Sequence, residues 1–288
     1  MDQRIIDLYD VYTHGGMSRR TFLDRLAALV GGSAAASALL PLLGNNYALA
    51  QVVPETDPRI VAETIDVPGV PNLKGYLVRP KQGTKWPAVL VVHENRGLNP
   101  HIKDVTRRLA TEGFLALGLD FLSPLGGTPD DDDKGREMFG QLKPADALAD
   151  AKAAVAYLEK HPNGTGKVGA VGFCWGGGVV NNLAVNEPDL DAGVAYYGAQ
   201  PKAEDVPKIR AALLLHYAGL DQRTNAGIPA YEAALKAAGK TYELYVYPGV
   251  NHAFNNDTGG ARYNKEAADL AWGRTLAFLR KHLATEAG

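Results

Sequence analysis

The sequence predicts an α/β fold: one mostly parallel sheet of about eight strands with helices on both faces. Three observations predict it. Short apolar blocks such as residues 88–92, rich in Val, have the character of strands buried on both faces. Stretches of helical length and period follow several of these blocks, and that rhythm is the mark of parallel βαβ units. No linker, internal repeat or shift in composition divides residues 51–288, so a single sheet accounts for the whole stretch.

In chain order, residues 61–67 and 73–78 form two strand patterns around the turn-rich break Pro68-Gly69-Val70-Pro71-Asn72, and they predict an antiparallel hairpin. The block 88–92 is followed by a polar loop and a helix over 101–112. Strand 114–121, helix 144–159, strand 168–173 and helix 177–185 continue the alternation. Strands at 192–197 and 212–217, a helix at 229–238, a strand at 242–247 and a last helix at 265–282 complete it. The stretch 126–134 holds four consecutive aspartates and predicts a solvated loop. Carboxylates crowded in sequence repel one another into solvent, and no histidine flanks them to complete a metal site.

Composition narrows the function. A net charge of -2 without a dense run of Lys or Arg leaves nothing to neutralise a row of phosphates, so nucleic acid is not an expected partner. A small-molecule substrate is. A single cysteine excludes an intramolecular disulfide and any multi-cysteine metal cluster.

The first 50 residues stand apart. Ser18-Arg19-Arg20-Thr21-Phe22-Leu23, then a mildly apolar stretch over 26–43, then Tyr47-Ala48-Leu49-Ala50 resemble a twin-arginine export signal with a cleavage site before Gln51. On that reading the domains are a removable leader, 1–50, and one catalytic domain, 51–288, exported to the periplasm with no stable membrane anchor. The alternative is a helical pair over 2–43 that is retained for packing in a cytoplasmic protein, because the run is barely long enough to span a bilayer.

The string that carries chemistry is Gly172-Phe173-Cys174-Trp175-Gly176, lying directly after one predicted strand and before a helix. It has the form of a nucleophile elbow with cysteine in the serine position. A nucleophile on so sharp a turn occupies a strained backbone, and glycines two residues to either side remove Cβ atoms that would clash. The helix beginning there turns its free N–H groups toward the sulfur, which favours a thiolate. Asp221 and His252 each follow a predicted strand, where open parallel sheets place their sites. The order nucleophile, acid, histidine is that of the α/β-hydrolases.

From about residue 60 to 283 the chain resembles the dienelactone hydrolase family, also known as carboxymethylenebutenolidases. The cysteine elbow carries most of the resemblance, with His93-Glu94-Asn95-Arg96-Gly97, Ala195-Tyr196-Tyr197-Gly198, Asn251-His252-Ala253-Phe254 and Trp272-Gly273-Arg274-Thr275-Leu276 supporting it. The resemblance implies that Cys174 attacks the carbonyl of a lactone or ester, that His252 shuttles the proton and that Asp221 orients the imidazole. It implies an oxyanion hole made by the backbone N–H groups of Asn95 and Trp175. Glu94 matches a glutamate that helps generate the thiolate; the other reading is a loop carboxylate paired with Arg96. Arg136 stands where the family carries a carboxylate-binding arginine, or else is solvated. After the histidine the chain departs from the family pattern, with Asn255-Asn256 where a second substrate-binding arginine is expected. Arg262 is expected at the surface, with supply of that charge from a later position as the alternative. Tyr197 and Trp175 would shape the substrate pocket or simply pack, and His93 would support the site from behind.

The implied reaction is acyl transfer through a thioester, with no cofactor and no metal. A general carboxylesterase or thioesterase would use the same triad, and a non-catalytic binding protein would keep the scaffold.

Overall fold

The structure, a computed structural model, describes residues 1–285. Three helices come first: α1 (Gln3–Thr13), α2 (Arg19–Val30) and α3 (Ser33–Leu43). Each start has a local cause. The Asp2 side chain accepts from the Arg4 N–H, and Ser18 accepts from the Thr21 N–H. Gly31, at φ 85°, ends α2 in the left-handed region where glycine is unstrained. Ile5, Tyr9, Tyr12, Phe22, Leu26 and Leu43 close over one another as a small core, with Phe22 stacked on Tyr12 at 4.5 Å. The segment is thus three helices rather than the helical pair. Arg19 and Arg20 lie exposed on the first turn of α2. Among the described residues no single helix is long and apolar enough to cross a membrane.

The sheet then assembles in chain order from β1 (Ile60–Asp66), β2 (Lys74–Pro80), β3 (Trp86–Val92), α4 (Pro100–Thr111), β4 (Leu115–Asp120), α5 (Asp132–Phe139), α6 (Pro144–Glu159) and β5 (Gly164–Phe173). It continues with α7 (Trp175–Asn186), β6 (Ala192–Tyr196), β7 (Ala212–Ala218), α8 (Gln222–Asn225), α9 (Ile228–Ala237), β8 (Tyr242–Tyr247) and α10 (Lys265–His282). The eight strands run in the order β1-β2-β4-β3-β5-β6-β7-β8. The β1–β2 and β2–β4 pairs are antiparallel and the rest parallel. The α/β class, the strand number and the initial hairpin agree with the sequence reading.

Strand β3 shows why the sheet is covered on both sides. Val89 and Val91 face one cluster with Ile102, Val105 and Leu109 of α4 and Leu279 of α10. Ala88, Leu90 and Val92 face the other, with Ala151, Ala154 and Leu158 of α6 and Leu183 of α7. Alternate side chains of one strand therefore bury against helices on opposite faces.

The aspartate-rich stretch is a loop as far as Asp131, with Asp130 and Asp131 exposed as expected, but Asp132 and Asp133 open α5 and are half-buried, which corrects the expectation of a solvated loop there. Asp131 caps α5 by accepting from the Asp133 and Lys134 N–H groups. Asp132 accepts from the Tyr47 hydroxyl at 2.7 Å and lies 3.4 Å from the guanidinium of Arg96. Asp133 pairs with Arg136 and, at 3.2 Å, with Arg19. Asp132 and Asp133 fasten the N-terminal segment to α5. Tyr47, Arg96 and Arg19 lie far away in sequence, which is why local charge density suggested solvent.

Candidate active site

Cys174 sits between β5 and α7 at φ 56° and ψ −116°, a left-handed-side conformation that few non-glycine residues adopt. Its flanking glycines are required by contact. A Cβ on Gly172 would fall 2.1 Å from the Gly176 carbonyl oxygen, and one on Gly176 would fall 2.4 Å from that of Val92. The sulfur thereby projects over the carboxyl end of the sheet at the N-terminus of α7, where the first N–H groups of the helix, that of Trp175 included, have no intrahelical acceptor.

His252 follows β8 and Asp221 follows β7. His252 Nδ1 lies 2.5 Å from Asp221 Oδ2, and the other oxygen of that carboxylate accepts from the Thr224 N–H at 3.1 Å. Both side chains are buried. The pair fixes the orientation of the ring, with a proton on Nδ1, and turns Nε2 toward the sulfur. That Nε2 has no hydrogen-bond partner among the described residues.

A second imidazole reaches the sulfur from α1. His14 Nε2 is 3.3 Å from Cys174 Sγ, while His14 Nδ1 is 2.8 Å from the Asp10 carbonyl oxygen and 3.2 Å from its carboxylate. The helix is tied to the loops around the site: Asn95 Nδ2 donates to the Thr13 carbonyl at 2.7 Å, Gln3 Nε2 donates to Asn251 at 2.5 Å, and Arg223 lies 3.7 Å from Asp10. The cavity over the sulfur is about 690 Å³, and its wall includes Tyr12, His14, Asn95, Trp175, Tyr197 and His252.

The electrostatics follow from that crowding. Burial alone would push the Cys174 thiol up, but the imidazoles of His252 and His14 outweigh it and bring the thiol down to about 6. Burial pulls both imidazoles down, and the sulfur with the carboxylates of Asp221 and Asp10 raises each above its ordinary value. Thiolate and imidazolium thus stabilise each other. One ring nitrogen each of His14 and His252 and the sulfur of Cys174 lie within 4.8 Å of one another, a spacing that would also admit a small divalent ion. Carboxylates backing both Nδ1 atoms are equally what a proton-moving pair needs, so the donor set does not by itself select a metal.

Residues 73–283 match the model of the dienelactone hydrolase family. The chain belongs to the dienelactone hydrolase family. A separate family described as YqhI-like matches residues 1–31, the segment that carries Asp10 and His14. A protein of Saccharolobus solfataricus provisionally named a carboxymethylenebutenolidase is 34% identical over 248 residues, covering 73% of this chain and 94% of its own. A Bradyrhizobium protein, provisionally named a 2-oxo-3-(5-oxofuran-2-ylidene)propanoate lactonase, is 34% identical over 72% of this chain and 89% of its own. The crystal structure of a Klebsiella pneumoniae protein, provisionally described as a dienelactone hydrolase, superposes with a TM-score of 0.70 at 32% identity, covering 77% of this chain and 99% of its own. The protein is a dienelactone hydrolase-like enzyme of the type that cleaves esters or lactones.

Within this family member the remaining candidates fall as follows. Glu94 is buried and accepts from Asn256 Nδ2 at 3.1 Å; its hydrogen-bond partner is that asparagine, whereas Arg96 is held by Asp132 and the Tyr9 hydroxyl. Arg136 is neither solvated nor free. Its guanidinium donates to the Tyr12 hydroxyl at 2.6 Å, pairs with Asp133 and lies 4.2 Å over the Tyr12 ring, at the cavity wall. Arg262 is buried over the Tyr9 ring at 4.9 Å, which corrects the surface role expected for it. His93 is fully buried behind the loop, its Nε2 accepting from the Phe121 N–H at 3.3 Å. Tyr197 lines the cavity at φ 39°, with its ring 4.7 Å from that of His252 and its buried hydroxyl unpartnered among the described residues.

Sequence reasoning does not find His14. The signal was Asp10 and His14 at i, i+4 on a helix whose other face carries Ile5, Tyr9 and Tyr12, but an export-like pattern overlies the same stretch.

Proposed function

We propose that this hydrolase cleaves a lactone or carboxylic ester with Cys174 as nucleophile, His252 as proton shuttle and Asp221 as the group that orients it, through a thioester on Cys174. The observation that carries the reading is the sulfur on a strained turn at a helix N-terminus, facing an imidazole whose far nitrogen is held by a buried carboxylate at 2.5 Å. The thiolate adds to the carbonyl carbon, and the oxyanion forms toward the backbone N–H groups of Asn95 and Trp175. Collapse expels the alkoxide, which takes a proton from His252. Neutral His252 then activates the water that hydrolyses the thioester.

The absence of the second arginine expected after the histidine favours a neutral ester or lactone over an acidic one. Asn255-Asn256 stand where a substrate-binding arginine would follow the histidine, and Arg136 is already paired with Asp133. This supports a general carboxylesterase or lactonase preference. Five-membered lactones with and without a carboxylate, together with p-nitrophenyl esters, assayed on the wild type and on Cys174→Ala, test it. The wild type should turn over neutral substrates faster than acidic ones, and the variant should turn over none. Full activity in Cys174→Ala refutes the nucleophile, and no activity in either protein favours a binding role.

Export through Ser18-Arg19-Arg20 with loss of residues 1–50 is the competing reading, supported by the order of basic, apolar and small residues, and it excludes any part for those residues in the mature site. It requires Gln51 as the first residue of the mature protein in a periplasmic fraction.

A further inference from the structure

We propose that His14, backed by Asp10, is a second catalytic imidazole of this enzyme, which holds Cys174 as a thiolate while His252 carries protons to and from the substrate. The proposal rests on Cys174 being the nucleophile. Its basis is geometric: His14 Nε2 lies 3.3 Å from the sulfur, at hydrogen-bond distance, and a nitrogen of each of the two imidazoles lies within 4.8 Å of it. Each ring has its other nitrogen committed to oxygen, on Asp10 or on Asp221, so both present Nε2 to the same atom. The ring of His14 meets that of His252 edge-on at 4.8 Å.

Two imidazoles allow a division of labour that one does not. At rest both rings are protonated, one by the proton of the Cys174 thiol and the other from solvent. The sulfur pair forms the C–S bond, and the carbonyl π pair moves to oxygen. When the C–O bond breaks, the His252 Nε2 proton goes to the leaving alkoxide and His252 becomes neutral. His252 next takes a proton from water, the hydroxide adds to the thioester carbonyl, and the C–S bond breaks with its electron pair returning to sulfur. His14 keeps its proton throughout, so the departing thiolate always has a cation beside it. Ester and water give acid and alcohol, and both rings return to their starting state.

The consequence is that the active site is built from two parts of the chain. The helix bearing Asp10 and His14 belongs to the first 31 residues, and Thr13, Asp10 and Gln3 bind it to the loops holding Asn95, Arg223 and Asn251. Removal of residues 1–50 would take one of the two imidazoles away. Besides the two rings, the titratable and charged side chains lining the cavity over the sulfur are Tyr12, Arg19, Asp133, Arg136, Glu137, Tyr197 and Arg223, with Asp10 and Asp221 behind the imidazoles.

The test uses the full-length chain with His14→Gln and, separately, Asp10→Asn, which keeps the imidazole in place but weakens its hold on the proton. Iodoacetamide alkylation and kcat are measured against pH, with melting temperature as the check on folding. The midpoint of alkylation should move up by at least one pH unit in His14→Gln, slowing labelling about tenfold below it, and by less in Asp10→Asn. The kcat of His14→Gln should fall about tenfold or more with KM little changed. In His14→Ala, added imidazole should restore part of the rate. Wild-type alkylation and kcat profiles in folded His14→Gln and Asp10→Asn overturn the proposal, as does a native protein whose intact mass begins at Gln51. Hydrolysis by Cys174→Ala would instead overturn the nucleophile reading itself, so the two failures are distinguishable.

Discussion

The ring of His14 stands perpendicular to that of His252, with centroids 4.8 Å apart and planes at 88°, and Cys174 Sγ lies within 4.8 Å of the nearer nitrogens of both. Two positively charged rings would not rest this close without compensation. The sulfur between them and the carboxylates behind them, Asp10 and Asp221, supply it. The thiol of Cys174 is the group whose behaviour reports most directly on this arrangement.

Alkylation should follow the thiolate. With its titration brought from the ordinary 9.0 down to about 6, Cys174 is ionised above that pH and protonated below it. Iodoacetamide should therefore label the wild type rapidly at pH 7–8, and the rate should fall about tenfold for each pH unit below 6. A midpoint near the ordinary thiol value would mean that the resting sulfur is protonated and is activated only by substrate.

Asp221→Asn keeps the shape of the side chain but removes the charge that fixes the His252 tautomer. Turnover should drop roughly a thousand- to ten-thousandfold with the fold retained, as expected when the orienting acid of a triad is neutralised. A loss of less than about tenfold would show that Asp10 and His14 suffice, and steady-state kinetics on a p-nitrophenyl ester reads the difference.

Gly176→Ala is the structural counterpart. The new Cβ would lie 2.4 Å from the Val92 carbonyl oxygen and 2.6 Å from that of His93, both backbone atoms of β3 and the loop after it. Relief requires shifting α7 or β3, at about 3 kcal/mol. Thermal denaturation should show a midpoint lower by roughly 5–10 °C, together with lost activity. An unchanged midpoint would show that the elbow is looser than its contacts imply.

Tyr197→Phe should separate binding from folding. The Tyr197 hydroxyl is buried at the cavity wall without a partner among the described residues, so its removal should leave stability within about 1 kcal/mol. If the hydroxyl binds substrate, KM should rise roughly tenfold with kcat little altered. Unchanged KM across ester and lactone substrates would assign Tyr197 to packing alone.

Much of this protein is legible residue by residue. The bounds predicted for the helix at Pro144–Glu159, the strand Tyr242–Tyr247 and the helix Lys265–His282 coincide with those observed, because hydrophobic period and flanking turns are local properties. The same holds for the elbow, where the need for glycine at 172 and 176 arises within five residues. The sheet extends further at β5 than its apolar block suggests, since Gly164 pairs with Trp86 across a register shift that only the neighbouring strand imposes.

Sequence by itself determined the α/β class, the strained turn at Cys174 and the strand ends that carry Asp221 and His252, because each depends on backbone geometry set by near neighbours. Tertiary structure alone decided that Asp132 and Asp133 anchor the N-terminal helices, that Glu94 is held by Asn256, and that His14 touches a sulfur 160 positions away. Those contacts join segments with no shared local pattern, and a leader-like run of basic and apolar residues looks the same in one dimension whether it is shed or folded over an active site.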